Sequence, residues 1–148
     1  MQTTNGLTFI NAEVFVSPDN ATWTEMSGHG ASVAVSEGDR MVAEEHTFDG
    51  DTPIVLGGKR KKVTLTVRYV YTEETADPFE ILRAQYETVT GPIYVQYAPK
   101  DADGFWFKTG LGVLVKPGYP SGEAKSDKVV LSEFVVACAS LSKATAST

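Results

Sequence analysis

Two histidines, one cysteine and a few clustered carboxylates are the side chains of this 148-residue chain with the chemistry to hold a metal or attack a bond. His29 lies in "SGHGAS" and His46 in "AEEHTF". Glu44 and His46 are two apart, so on a strand they share a face and offer two ligands. Zinc needs three or four, and the pattern reads better as a solvated loop histidine. "TFDGDTP" sets Asp49 and Asp51 around Gly50, but it lacks the further oxygen ligands and closing Glu of a calcium loop and reads as a turn. No serine stands in a G-x-S-x-G elbow. Cys138 alternates with Phe134 and Val136, the pattern of an inert buried thiol rather than a nucleophile. "GGKRKK" is not a phosphate loop, because Pro53 occupies the place of the first glycine and no Ser or Thr follows Lys59. Carboxylate pairs for glycoside hydrolysis are defined by distance in space, and nothing here singles one out. No catalytic, cofactor-binding or metal-binding residue is assigned, and the chain reads as a non-enzyme.

What remains is charge. Lys59, Arg60, Lys61 and Lys62 follow one another in a chain of net charge −6. Residues 1–58 carry nine acids and one base, Arg40, for a balance of −8; the remainder carries +2. Three readings of the basic run stay open: nucleic-acid binding, a solvated strand end that discourages edge aggregation, and pairing with an acidic protein surface. A dedicated nucleic-acid binder is usually basic overall and shows stacking aromatics, whereas the pI here is about 4.9. Phe105, Trp106 and Phe107 are consecutive, so at least one faces away from the core. That ring could stack on a base or a sugar, or plug a neighbouring subunit.

The elements that position these residues are mostly strands. Val63, Leu65, Val67, Tyr69 and Tyr71 alternate with Lys62, Thr64, Thr66, Arg68 and Thr72, which predicts a half-buried strand. Further strands are expected over residues 7–16, 31–36, 41–48, 93–98, 105–108, 112–115 and 128–140. Such spacing without alternating helices predicts an antiparallel β-sandwich or barrel. One helix is expected over about residues 78–89. Asp77 stands at its cap, Pro78 in the first turn, Phe79, Leu82, Tyr86 and Val89 form the apolar stripe, and Gly91-Pro92 is the stop. "KVVLSEFVVACAS" is apolar on both faces, as in a central strand covered on both sides by the helix or by a neighbouring subunit. Residues 38–61 lose the alternation and read as a long hairpin or loop projecting from the body. A single domain over residues 1–140 is expected, with a flexible tail over 141–148. No apolar run reaches the ~18 residues of a membrane span, and there is no signal-peptide pattern. A soluble protein made in a cytoplasm is therefore expected.

The order of "KKVTLTVRYVYTE", the helix "DPFEILRAQYE", "GPIYVQYAPKDADGFWFKTG" and a long closing strand resembles the major tail tube proteins of long-tailed, siphovirus-type bacteriophages over about residues 40–140. The resemblance implies a structural virion protein of the tail, synthesised in the bacterial host cytoplasm. Six copies would form a ring around a β-lined channel, and rings would stack head to tail into a tube. The implied partners are further copies and other tail proteins, with DNA passing through the lumen without specific binding and no membrane or cofactor involved. Residues 38–61 take the place of a stacking loop. The inter-subunit candidates are Glu37, Asp39, Glu44, Glu45, Asp49, Asp51, Lys59, Arg60, Lys61 and Lys62, with the basic run facing a neighbour's acidic segment. Glu37, Glu44 or Glu45 turned to the channel would repel phosphates. The alternatives are another virion part, such as a tail terminator or decoration protein, and a carbohydrate-binding β-sandwich module using Phe105, Trp106, Phe107 and Tyr119.

Overall fold

A computed structural model describes residues 2–3, 6–8, 11–26, 30–73, 78–101, 103–124 and 128–145. Among them are β1 (Glu13–Ser17), β2 (Thr24–Glu25), β3 (Gly30–Ser36), β4 (Arg40–Glu45), β5 (Ile54–Arg60), β6 (Val63–Val70) and the helix α1 (Pro78–Tyr86). After the helix come β7 (Pro92–Ala98), β8 (Trp106–Lys108), β9 (Gly112–Lys116), β10 (Leu131–Cys138) and β11 (Ser142–Ala144). The molecule is mainly antiparallel β with one short helix, as the alternating patterns predict. The strand expected over residues 7–16 starts only at Glu13, and residues 9 and 10 lie outside the described set.

Nine strands form one hydrogen-bonded sheet folded into two leaves. One leaf runs β3–β6–β10–β9, and the other is built from β2, β1, β7, β8 and β11. They join at β7, whose Pro92 and Ile93 pair with Val113 and Gly112 of β9 while its later residues pair with β1 and β8. Period-two alternation turns one face of each strand inward. Leu65, Val67, Phe134 and Val136 from the first leaf meet Val14, Val16 and Val95 from the second in a common core. Tyr69 and Phe134 pack as tilted rings with centroids 5.9 Å apart.

Helix α1 caps this core with Phe79 and Leu82, both buried. It ends at Tyr86, one turn before the expected residue 89. The Thr88 hydroxyl donates to the Gln85 carbonyl at 2.7 Å and accepts from Gly91 N at 3.0 Å, diverting the backbone groups that another turn would use. Gly91 then takes φ +58°, a conformation that favours glycine. Tyr86 and Val89 therefore leave the buried stripe and are exposed. The expected cap, Asp77, lies outside the described residues.

Ser142–Ala144, within the segment read as a flexible tail, form β11 and pair with Lys108, Phe107 and Trp106 of β8. Residues 146–148 lie outside the described set. No helix of the described residues is long and apolar enough to cross a membrane.

Candidate assembly surfaces

Residues 38–61 fold as a β-hairpin with a sheet of its own. β4 pairs with β5 in the register Glu45↔Ile54, Glu44↔Val55, Ala43↔Leu56 and Val42↔Gly57, and a bulge precedes Arg40↔Arg60. Neither strand pairs with the nine-stranded sheet, and every residue of both is exposed. Met41, Val42, Ile54, Val55 and Leu56 all stand in solvent, and Phe48 at the tip is 111% exposed. An isolated two-stranded hairpin is marginal in water, and so large a set of uncovered apolar side chains marks an interaction surface.

The root of the hairpin is tightly drawn. Lys61 N donates to Asp39 O at 2.9 Å, and a Cβ on Gly38 would overlap the Lys61 carbonyl. Any other residue at position 38 must push the two crossing chains apart. Arg40 Nη1 donates to Gly58 O at 2.9 Å. Its stem lies against Gly57, where a Cβ would stand 3.0 Å from Cδ.

Folding rearranges the charge pattern seen along the sequence. Arg40, Lys59, Arg60, Lys61 and Lys62 gather at the root, with Arg40 directly across from Arg60. Like charges in that relation destabilise a strand pair. Glu44, Glu45, Asp49 and Asp51 gather toward the tip, about 20 Å away at the rise of a six-residue strand. Glu44 and Glu45 are neighbours on one strand and so point to opposite faces, while Glu37 and Asp39 stand at the root. None of these ten candidates, nor Arg40, has an ion-pair partner within 4 Å among the described residues. The hairpin is thus a separated pair of unneutralised charges joined by an apolar shaft.

A second surface is the outward face of the β3–β6–β10–β9 leaf. Rows read across the register are Ser36, Thr64, Ala137 and Val113, then Ala34, Thr66, Val135 and Lys116, then Ser32, Arg68 and Glu133. Except for Lys116 and the Arg68–Glu133 pair at 3.9 Å, these rows are hydroxyl or small apolar side chains. β10 is central, as its composition predicts, but the chain covers only its inner face. Val135 and Ala137 stay half-buried and Leu131 exposed.

The hairpin leaves this leaf at the Ser36/Val63 end. At the opposite end the leaf opens into a groove of about 510 Å³. Val115, Lys116 and the turn through Gly118 and Tyr119 form one wall. Arg68, Leu131, Ser132 and Glu133 form the other, and Tyr86 stands at the end of α1. Gly118, at φ +82°, lets its turn approach the Glu133 carbonyl, which would lie 2.7 Å from an added Cβ. Ser132 is 3% exposed, and its Oγ has no hydrogen-bond partner among the described residues. Residues 68, 86, 116–119 and 131–133 meet only in the folded chain, from β6, α1, β9 with its following turn, and β10, and no motif in the sequence marks them.

The three consecutive aromatics do not make a platform. Trp106 is fully buried and packs 5.5 Å from Phe15, and Phe107 stacks on Tyr97 at 5.6 Å. Phe105 alone of the three is exposed, with the Lys143 ammonium 3.9 Å above its ring. Tyr119 packs edge-on to Phe79 in the other region of the molecule. Cys138 is buried, and burial pushes its thiol pKa up, away from thiolate chemistry. His46 stands beyond β4 in an exposed stretch, and His29 lies outside the described set. No group of three metal-ligating side chains occurs among the described residues.

No protein-family model matches the sequence, and no curated protein matches it. Solved structures do share the fold. A chain of the PVC sheath-tube complex, from an extracellular contractile injection system in the extended state, matches at TM-score 0.73 and 12% identity, over 96% of this chain and 93% of that one. A chain of the anti-feeding prophage tube terminating cap matches at 0.72 and 10%, over 99% and 95%. A chain of the virion of a native gene transfer agent particle matches at 0.61 and 15%, over 88% and 95%. At these identities the likeness is one of fold. It extends over nearly the whole of each chain and spans contractile systems as well as a gene transfer agent, so it does not single out siphovirus-type tails.

Proposed function

We propose that the chain is a structural subunit of a phage-tail-like particle, assembling as homohexameric rings that stack into a tube. The observation that carries this reading is the β4–β5 hairpin. It is an exposed apolar arm with unneutralised charge at both ends, on a fold shared with subunits of particles that contain tubes and caps. The hairpin and the ten charged candidates between Glu37 and Lys62 make contacts between copies. The basic root pairs with acids of a neighbour, and the outward face of the β3–β6–β10–β9 leaf lines the channel. A wall mostly of Ser, Thr, Ala and Val offers a polyanion only two cations, Lys116 and Arg68, the latter beside Glu133. DNA would slide past it without being held. Of the acids Glu37, Glu44 and Glu45 that could repel phosphates from the channel, Glu44 and Glu45 sit on the hairpin rather than on the leaf. The protein would act without catalysis, alongside other tail proteins, and reside in the virion tail.

A second reading is a tail terminator, favoured by the likeness to a chain of a tube terminating cap. Negative-stain electron microscopy of the concentrated protein separates the two. Stacked rings with six-fold end views support the tube, and single rings that never elongate support the terminator. A monomer at every concentration overturns both.

A further inference from the structure

We infer that the groove at the Val70/Leu131 end of the leaf receives the hairpin tip of another copy of this chain, with Phe48 as the anchor. This rests on the assembly proposed above and adds the identity of the receiving surface.

The two surfaces match in chemistry. The tip presents one fully exposed aromatic ring, Phe48, among the carboxylates of Glu44, Glu45, Asp49 and Asp51. The groove offers the exposed apolar surfaces of Tyr86, Val115, Tyr119 and Leu131 beside the cations Arg68 and Lys116. Arg68 is held only loosely by Glu133 at 3.9 Å, both half-exposed, and Lys116 has no ion pair among the described residues. The buried, unpartnered Ser132 hydroxyl on the groove wall is a donor that a carboxylate would satisfy.

They also match in placement. The hairpin leaves the leaf where β3 ends and β6 begins, while the groove lies where β6 ends and β10 begins. Donor and receiver are therefore different surfaces at opposite ends of one leaf. Such a heterologous contact is not self-complementary, so it does not end in a two-fold dimer, and where no rotation closes it the contact extends a stack. A tip folded back on its own groove would have to span the length of the leaf from a root held together at Gly38 and Lys61.

The test uses two full-length variants. Glu44→Lys/Glu45→Lys/Asp49→Lys/Asp51→Lys makes the tip basic, and Arg68→Glu/Lys116→Glu makes the groove acidic. Each alone opposes like charges and should form rings that do not stack. Mixed in equal amounts, the two should stack again, because the basic tip of one fits the acidic groove of the other and the wild-type pairing is left in the reverse contact. In a Cys138→Ala background, Phe48→Cys mixed with Tyr119→Cys should give an intermolecular disulfide on oxidation, whereas Lys61→Cys with Tyr119→Cys should not. Stacks from either charge variant alone, a charge-variant mixture that fails to stack, or a Phe48→Cys and Tyr119→Cys mixture that gives no cross-link while the wild-type chain forms tubes would each overturn the groove and leave the tube standing. A wild-type chain that never assembles overturns both.

Discussion

Asp19 shows how one carboxylate shapes the chain before any assembly occurs. Its Oδ1 accepts from Ala21 N at 2.9 Å, from Thr22 N at 2.8 Å and from the Ser17 hydroxyl at 3.1 Å. These bonds form the turn between β1 and β2 and allow Asn20 its φ of +61°. The backbone donors from Thr22 and Ala21 favour the ionised form and hold the Asp19 pKa below its ordinary 3.8. A depressed carboxylate pKa contributes stability above the unfolded value and loses it as pH falls through the folded value. Asp19→Ala should therefore lower the thermal midpoint at neutral pH, and its deficit against wild type should shrink as pH drops below about 4. Asp19→Asn keeps an acceptor and should retain part of the turn without the pH dependence. Melting curves from pH 7 to pH 2 check this, and a deficit constant across that range would contradict it.

At the scale of elements, period-two alternation makes β6 legible in the sequence, and its inward set Leu65, Val67 and Tyr69 is fully buried. The one helix is legible at its start, where Phe79 and Leu82 pack, but not at its end. There a side-chain bond from Thr88 overrides an apolar spacing that reaches Val89. The hairpin is legible as a projection because its alternation fails. Its charge geometry is hidden, because only strand pairing brings Arg40 across from Arg60 and separates them from the acidic tip. The groove leaves no local trace, since it joins residues from β6, α1, β9 and β10. The hairpin's independence has a consequence. Because β4 and β5 pair with each other and not with the body, replacing residues 40–60 by a short Gly-Ser link should leave a folded monomer whose β-sheet circular dichroism and cooperative melting persist. The same variant should form no tubes. Loss of cooperative melting would show instead that the hairpin stabilises the body.

For the whole molecule, the proposed assembly raises the question of which force would hold copies together, the charges at the ends of the hairpin or its apolar shaft. An exposed ion pair contributes about 0.2–1 kcal/mol and is screened by salt within about 8–10 Å. Fully burying one Val, Leu or Ile side chain contributes about 1.5–3 kcal/mol. With Val42, Ile54 and Leu56 all more than half exposed in the single chain, covering them in an assembly outweighs even a well-matched set of surface pairs. In the proposed assembly charge would then set register and orientation, because wrong pairings oppose like signs, and the apolar shaft would supply most of the affinity. Val42→Ser/Ile54→Ser/Leu56→Ser should therefore raise the critical concentration for tube formation by at least an order of magnitude more than Lys61→Glu/Lys62→Glu does, with both variants folded as monomers. Raising salt from about 0.05 to 0.5 M should shorten wild-type tubes only modestly, because screening weakens the ion pairs while apolar contacts persist. Pelleting assays across protein concentration and salt measure both quantities. Tubes that dissolve on salt addition, or a lysine variant more damaging than the serine variant, would place the binding energy in the charges instead.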